Sequence, residues 1–311
     1  MNNKIFLFFI TILLIVCLTN NKQYAQVASY PTISESQVIL KGDSGKWDYN
    51  KVHTLSVVEA NMDGYKYWGY YGLAYYGGDP ALRKAGLVRS NDLIHWEKYN
   101  GNPIIKGDCR WPTVVLSNSV FYMFYAEYNK ENDSRIVMLS SKDGIHFSHK
   151  VVVVPREKGK QNQNPFIYFN KNDEHFYLVY YNGIERSKNP NDNVWNIKIR
   201  KSKNINKLYS ARSVTLLSSK HTAAAPSIAF FNGKYYLLIE AIGKENQWIT
   251  LGYESKNIDG NYQEVSNNPV LSNDDACAFQ YVFNDELYIF YSHCIDLPKW
   301  NWELRMVKVI K

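Results

Sequence analysis

Five short segments rich in aromatic residues recur along the chain, at 65–71, 121–125, 176–181, 235–239 and 287–291. Registered on Tyr67, Tyr122, Tyr177, Tyr236 and Tyr288, they are spaced by 55, 55, 59 and 52 residues. A period near 50 built from strand-forming residues points to a β-propeller, in which each repeat is one four-stranded blade. Aromatic residues make up 15% of the chain, 25 of them tyrosines, and tyrosine favours strands.

Other features keep the same phase. A turn precedes each aromatic strand: Asp63-Gly64, Asn118-Ser119, Asn172-Asp173, Asn232-Gly233 and Asn284-Asp285. These are hairpin turns, so an apolar strand lies before each of them. A third strand ends in Ser plus polar residues, as in Ser90-Asn91-Asp92 and Ser141-Lys142-Asp143, and a fourth closes the unit. The expected fold is all-β: five four-stranded antiparallel blades in one domain over 26–311. The fifth unit runs out after three strands. Residues 37–40, Gln-Val-Ile-Leu, are expected to supply its fourth and remove the open edge.

Lys4 followed by an apolar run to Leu18 reads as a secretory signal over residues 1–25, cleaved after Ala25. The run is short for a membrane span, and no later segment is long and apolar enough to be one. The expectation is a protein exported to the periplasm or the medium, working as a monomer. Loss of Lys4 and Lys22 with the leader lowers the net charge from +7 to +5. No Lys/Arg run stands out, which argues against a nucleic-acid partner. Cys109, Cys277 and Cys294 remain after cleavage; an odd count leaves at least one thiol free. Their spacing is wrong for zinc, and neither metal nor cofactor is expected.

A blade's innermost strand lines the central channel, and its second strand runs antiparallel to it. Strand-one starts and strand-two ends therefore meet around one funnel, where a ligand belongs. The strand-two ends align as Tyr71, Ala126, Tyr181, Glu240 and Ser292, then Gly72, Glu127, Asn182, Ala241 and His293. Glu240 follows three apolar residues, and an unpaired carboxylate there is costly. It is either held by a structural partner or a general acid with a raised pKa. Asp48, Glu127, Asp275 and His53 complete the pool of titratable candidates. Arg110 and Trp111 offer a charged fork and a stacking face. Asn164, Asn182, Gln280 and His293 fall at rim positions suited to substrate contact.

With Ser-Asn-Asp-Leu-Ile-His-Trp-Glu-Lys at 90–98 and Asn-Pro-Ile-Ile at 102–105, the five-unit pattern resembles the furanosidase/β-fructosidase superfamily. That group holds glycoside hydrolase families 43, 32, 68, 117 and 130. The resemblance covers about residues 36–311. It implies a five-bladed propeller acting on polysaccharide or oligosaccharide, with an Asp base or nucleophile, a supporting Asp and a Glu acid. This chain departs from those motifs. Where the family has carboxylates, it shows His53-Thr54, Arg110-Trp111-Pro112, Asn164-Pro165 and Ala224-Ala225-Pro226. The leading expectation is a glycosidase in which Glu240 is the acid and Asp48 the base or nucleophile, with Asp275 and Glu127 in reserve. His53 and Arg110 would position hydroxyls, and Trp111 and Tyr71 would stack on sugar rings. The alternative is a propeller that binds glycan without cutting it.

Overall fold

The computed structural model describes residues 28–74, 79–184 and 193–310. The leader expected at 1–25 lies outside them. The described residues form five four-stranded antiparallel sheets. Blade one is β2 (Val52–Met62), β3 (Tyr65–Leu73), β4 (Gly86–Ser90) and β5 (Glu97–Lys98). Blade two is β6 (Arg110–Ser117), β7 (Val120–Tyr128), β8 (Ser134–Ser141) and β9 (Ser148–Val154). Blade three is β10 (Gln161–Asn170), β11 (His175–Ile184), β12 (Val194–Ser202) and β13 (Ser213–Ser219). Blade four is β14 (Ala224–Phe231), β15 (Lys234–Ile242), β16 (Trp248–Ser255) and β17 (Gln263–Glu264). Blade five is β18 (Asp275–Phe283), β19 (Glu286–Asp296) and β20 (Asn301–Lys308), completed by β1 (Gln37–Leu40). β1 pairs antiparallel with β20, Gln37 opposite Met306 and Leu40 opposite Leu304, so the two ends of the described chain close one blade.

Four of the five inner hairpins turn on two residues with positive φ: Asp63-Gly64, Asn118-Ser119, Asn232-Gly233 and Asn284-Asp285. That geometry matches the twist of the strands it joins, and Asn, Asp and Gly tolerate it best. The third differs from expectation. Asn170 pairs with His175, so the turn is a four-residue loop, and Glu174 rather than Asn172 or Asp173 takes the positive φ. The aromatic strands fill the seams between blades. Tyr71 and Phe290 pack in the seam of blades one and five, and Tyr70 and Phe121 in that of one and two.

The inner strands do not pair with one another, so side chains join them. Ser56 Oγ accepts from the Val114 amide at 2.8 Å, and Thr113 Oγ1 from the Ile167 amide at 3.3 Å. Ser227 Oγ donates to the Ala278 carbonyl at 2.7 Å, and Tyr281 returns the ring to Ser56 at 3.0 Å. Gln280, expected to touch substrate, belongs to this stitching. It is 1% exposed, its amide donates to the Ser227 and Tyr236 carbonyls, and its oxygen accepts from Tyr30 at 2.8 Å.

Tyr30 is anchored further by reciprocal bonds between its backbone and the Asn267 amide. The segment before β1 thereby ties blade four to blade five. Tyr30→Phe keeps the ring and strands the buried Gln280 oxygen, which costs about 1–3 kcal/mol. Thermal unfolding of the variant should show a melting temperature several degrees lower; an unchanged value would remove Tyr30 from the closure.

Candidate active site

Each inner strand carries one extra residue near its funnel end, and each of these bulges holds a residue with left-handed backbone: Thr54 (φ 49), Trp111 (φ 50), Asn164 (φ 48), Ala225 (φ 42) and Cys277 (φ 50). A bulge takes a residue out of the ladder and re-aims side chains. None of the five bulge residues carries an acid.

A bulge also frees backbone amides, and two are met from the preceding blade. Ser292 Oγ accepts from the Thr54 amide at 3.0 Å. Glu240 Oε2 accepts from the Cys277 amide at 3.0 Å and from the Cys277 thiol at 3.3 Å. Ser292 and Glu240 hold equivalent places at the ends of β19 and β15. Among the described residues nothing bonds Glu240 Oε1, and the residue is 7% exposed. Burial pushes the Glu240 carboxyl above its ordinary value, and the Cys277 thiol and amide only partly offset it.

Two residues before Cys277, Asp275 Oδ1 meets His293 Nδ1 at 2.8 Å, the two residues being cross-strand partners in β18 and β19. Burial raises the Asp275 carboxyl against the opposing effect of His293. Nδ1 is turned to Asp275, which leaves Nε2 on the side of the ring away from that carboxylate. His293 and Asp275 side chains keep 17% and 11% of their exposure. Glu240, Cys277, Asp275 and His293 thus gather at the seam of blades four and five.

A second group lies at blades two and three. The Arg110 guanidinium stacks over Tyr128 at 4.4 Å and Trp111 at 5.5 Å, and the Tyr128 hydroxyl donates to Gln163. Trp111 is half-buried. Asn164 is 3% exposed in its bulge, and Asn182 is 2% exposed, bonded to Asn162 at 2.7 Å and Glu157 at 3.3 Å. These two are interior groups rather than open contact points.

Four expectations need correction. Asp48 is 1% exposed; its carboxylate is held by Lys98 Nζ at 2.8 Å and the Tyr71 hydroxyl at 2.9 Å. Lys98 lies on the outermost strand, so this ion pair braces blade one from outside and Asp48 has no path to a substrate. Tyr71 is fully buried, stacked on Trp47 at 5.7 Å, and cannot meet a sugar ring. Glu127 is clamped by Arg135 at 2.7 Å and 2.9 Å and by Lys150 at 2.5 Å, leaving no oxygen for chemistry. Burial raises its carboxyl, but these cations outweigh that and hold it below the ordinary value. His53 is 1% exposed, edge-on to Trp302 at 4.9 Å, and burial brings its pKa down to about 3, so it stays neutral inside the wall. Cys277 went unrecognised as a site residue. Its signal was its place in the fifth blade, level with Trp111-Pro112 and Asn164-Pro165. All three described cysteines are buried free thiols, so the open question of a disulfide resolves to none among them.

The five blades form one propeller, with Glu240, Cys277, Asp275 and His293 at the seam of blades four and five. By sequence, the chain matches no family model and no curated protein. By structure, it is similar to a thermostable family-43 glycoside hydrolase, with a TM-score of 0.66 and 16% identity over 82% of this chain and 88% of that one. It is similar to the endo-arabinase of Bacteroides thetaiotaomicron VPI-5482 (TM-score 0.65, 14% identity, 89% and 98% coverage). A third such structure is an α-L-arabinofuranosidase of Podospora anserina (0.66, 11%, 91% and 98%). At such identities the likeness is one of fold: this chain has the propeller that those glycoside hydrolases have.

The raised Glu240 carboxyl has a consequence for stability. A group whose folded pKa lies above its unfolded value, here near 4.5, contributes fully below that value. The contribution is lost as the pH rises through the folded pKa. Glu240→Gln stays neutral, so it should gain stability relative to the parent as the pH is raised above 4.5. The gain is ~1.4 kcal/mol for each tenfold by which folding tightens the carboxyl's hold on its proton. Thermal melts from pH 4 to 8 measure this, and parallel curves would show a carboxyl whose hold on its proton folding does not change.

Proposed function

We propose that the protein is an exported glycoside hydrolase acting on a polysaccharide or oligosaccharide, with Glu240 as general acid and His293, oriented by Asp275, as general base. The observation that carries this reading is the Glu240 carboxyl. One oxygen is held by Cys277, the other is unclaimed, and burial keeps the proton on at higher pH than usual. Glycoside cleavage needs an acid at the leaving oxygen and a base or nucleophile on the other side of the sugar. Asp275 orients the ring and stabilises the imidazolium formed when Nε2 takes a proton from water. This division of labour replaces Asp48 and Glu127, both consumed by ion pairs. Trp111 would stack on a sugar ring across the funnel, and Arg110 would fix its orientation from behind Tyr128. The leader at 1–25 would deliver the protein to the glycan outside the cytoplasm.

One observation favours a second reading, that of a propeller that binds glycan without cutting it: all five bulges lack a carboxylate. The two separate on turnover. Under the hydrolase reading, Glu240→Gln should lose at least about a hundredfold on an unactivated oligosaccharide, the usual weight of a general acid. It should lose far less on an aryl glycoside whose leaving group needs no proton. His293→Gln should lose on both substrates, because water must still be activated. A parent protein that binds glycan but turns over neither substrate would establish the second reading.

A further inference from the structure

Glu240 and Cys277 meet across the seam of blades four and five, on β15 and β18. Two hydrogen bonds join them, and both end on one carboxyl oxygen. The Cys277 amide reaches Oε2 at 3.0 Å and the Cys277 thiol reaches it at 3.3 Å. The amide bond has a counterpart in blade one, where Ser292 Oγ takes the Thr54 amide. The thiol bond has none there, because Thr54 Oγ1 turns back to the His53 carbonyl at 2.7 Å. Satisfying a bulge amide therefore does not require the second bond. Burial, and then the neighbouring Glu240 carboxyl, push the Cys277 thiol well above its ordinary value, so the sulfur keeps its proton and donates it. An oxygen that accepts from both an amide and a thiol has its two lone pairs engaged, as a carbonyl oxygen can and a protonated one cannot. The proton of the neutral acid then belongs on Oε1, which bonds nothing among the described residues.

We propose that Cys277 is a positioning residue for Glu240: its thiol and amide together fix the acid's proton on Oε1 and stabilise the carboxylate left when that proton departs. In glycoside cleavage the Oε1–H bond breaks, the glycosidic oxygen gains the proton, and the negative charge left on the carboxylate spreads to Oε2, where two donors already point. The recipient of the proton rests on the hydrolase reading; the bond itself does not. Little else bears on the charge of Glu240. β14 and β16 set Ala224 and Thr250 opposite it, neither of them titratable. β18 brings Cys277 and Asp275, and Asp275 is engaged by His293 of β19.

The test reads the bond directly. Infrared difference spectra of the mature protein follow the Glu240 carboxyl band with pH, assigned by its loss in Glu240→Gln, and Raman spectra follow the S–H stretches. One S–H band, missing in Cys277→Ala, should move as Glu240 ionises and stay still in Glu240→Gln. Cys277→Ala should raise the pH at which Glu240 titrates by about one unit, the weight of a hydrogen bond to a charged group. Cys277→Ser, which restores a donor, should return it to the parent's range. On a cleaved oligosaccharide, the alkaline fall in kcat/KM should move up with the titration in the alanine variant, because the acid must be protonated to act. Two results would overturn the proposal: a titration unmoved in Cys277→Ala, or one that serine moves as far as alanine does, which makes the thiol a packing group. If the alanine variant does not fold, the parent and Glu240→Gln decide it: S–H spectra identical in the two at every pH would overturn it. A parent that turns over no glycoside refutes the hydrolase reading, and the spectra still decide the bond.

Discussion

The inner strands of the five blades do not pair with one another, yet their backbone amides and carbonyls still need partners. Buried backbone groups without partners are rare because each forfeits a hydrogen bond's worth of free energy. This protein meets the need with short hydroxyl side chains reaching across the seams, Ser56, Thr113 and Ser227, and the Tyr281 hydroxyl in turn bonds Ser56. The bulges sharpen the demand, since each frees further groups at the funnel end. Ser292 answers it for Thr54, and Glu240 answers it for Cys277.

That equivalence bears on what Glu240 is for. Ser292 shows that a hydroxyl is enough to satisfy a bulge amide. A carboxyl in the same role adds the cost of desolvation, visible in its raised pKa, and adds a second oxygen that the cap does not use. Structure alone does not require that oxygen. Across the funnel, the Arg110–Tyr128–Trp111 stack supplies no acid. On the seam of blades four and five, by contrast, Glu240, Asp275 and His293 bring titratable groups close together.

Much of the fold was legible because it is written in local, repeated signals. Two-residue Asn/Asp/Gly turns, aromatic strands in register and the closing strand Gln37–Leu40 are all visible in a single pass. The third hairpin was misread because Asn172-Asp173 looks like its counterparts, while Asn170 pairs further out and lengthens the loop. The site was less legible for a different reason. Position in a blade gives a residue's height along the funnel, but its partners come from far along the chain. Lys98 lies 50 residues from Asp48, and Lys150 lies 23 from Glu127. Nothing near either carboxylate in sequence announces its cation. Glu240 stood out because its own strand is apolar, a signal carried by its neighbours. Cys277 was passed over because a small buried residue is an ordinary sight until the bulge that holds it is known.

The pairing of β1 with β20 joins segments separated by almost the whole described chain. Tyr30 and Asn267 add a second clasp one blade away. Cut once in an exposed connection between blades, the ring becomes two chains still held to each other by a strand pair and a buried tyrosine. The topology therefore tolerates new termini at blade boundaries: a rearranged chain that begins between two blades and runs through the old junction would keep every blade it has now.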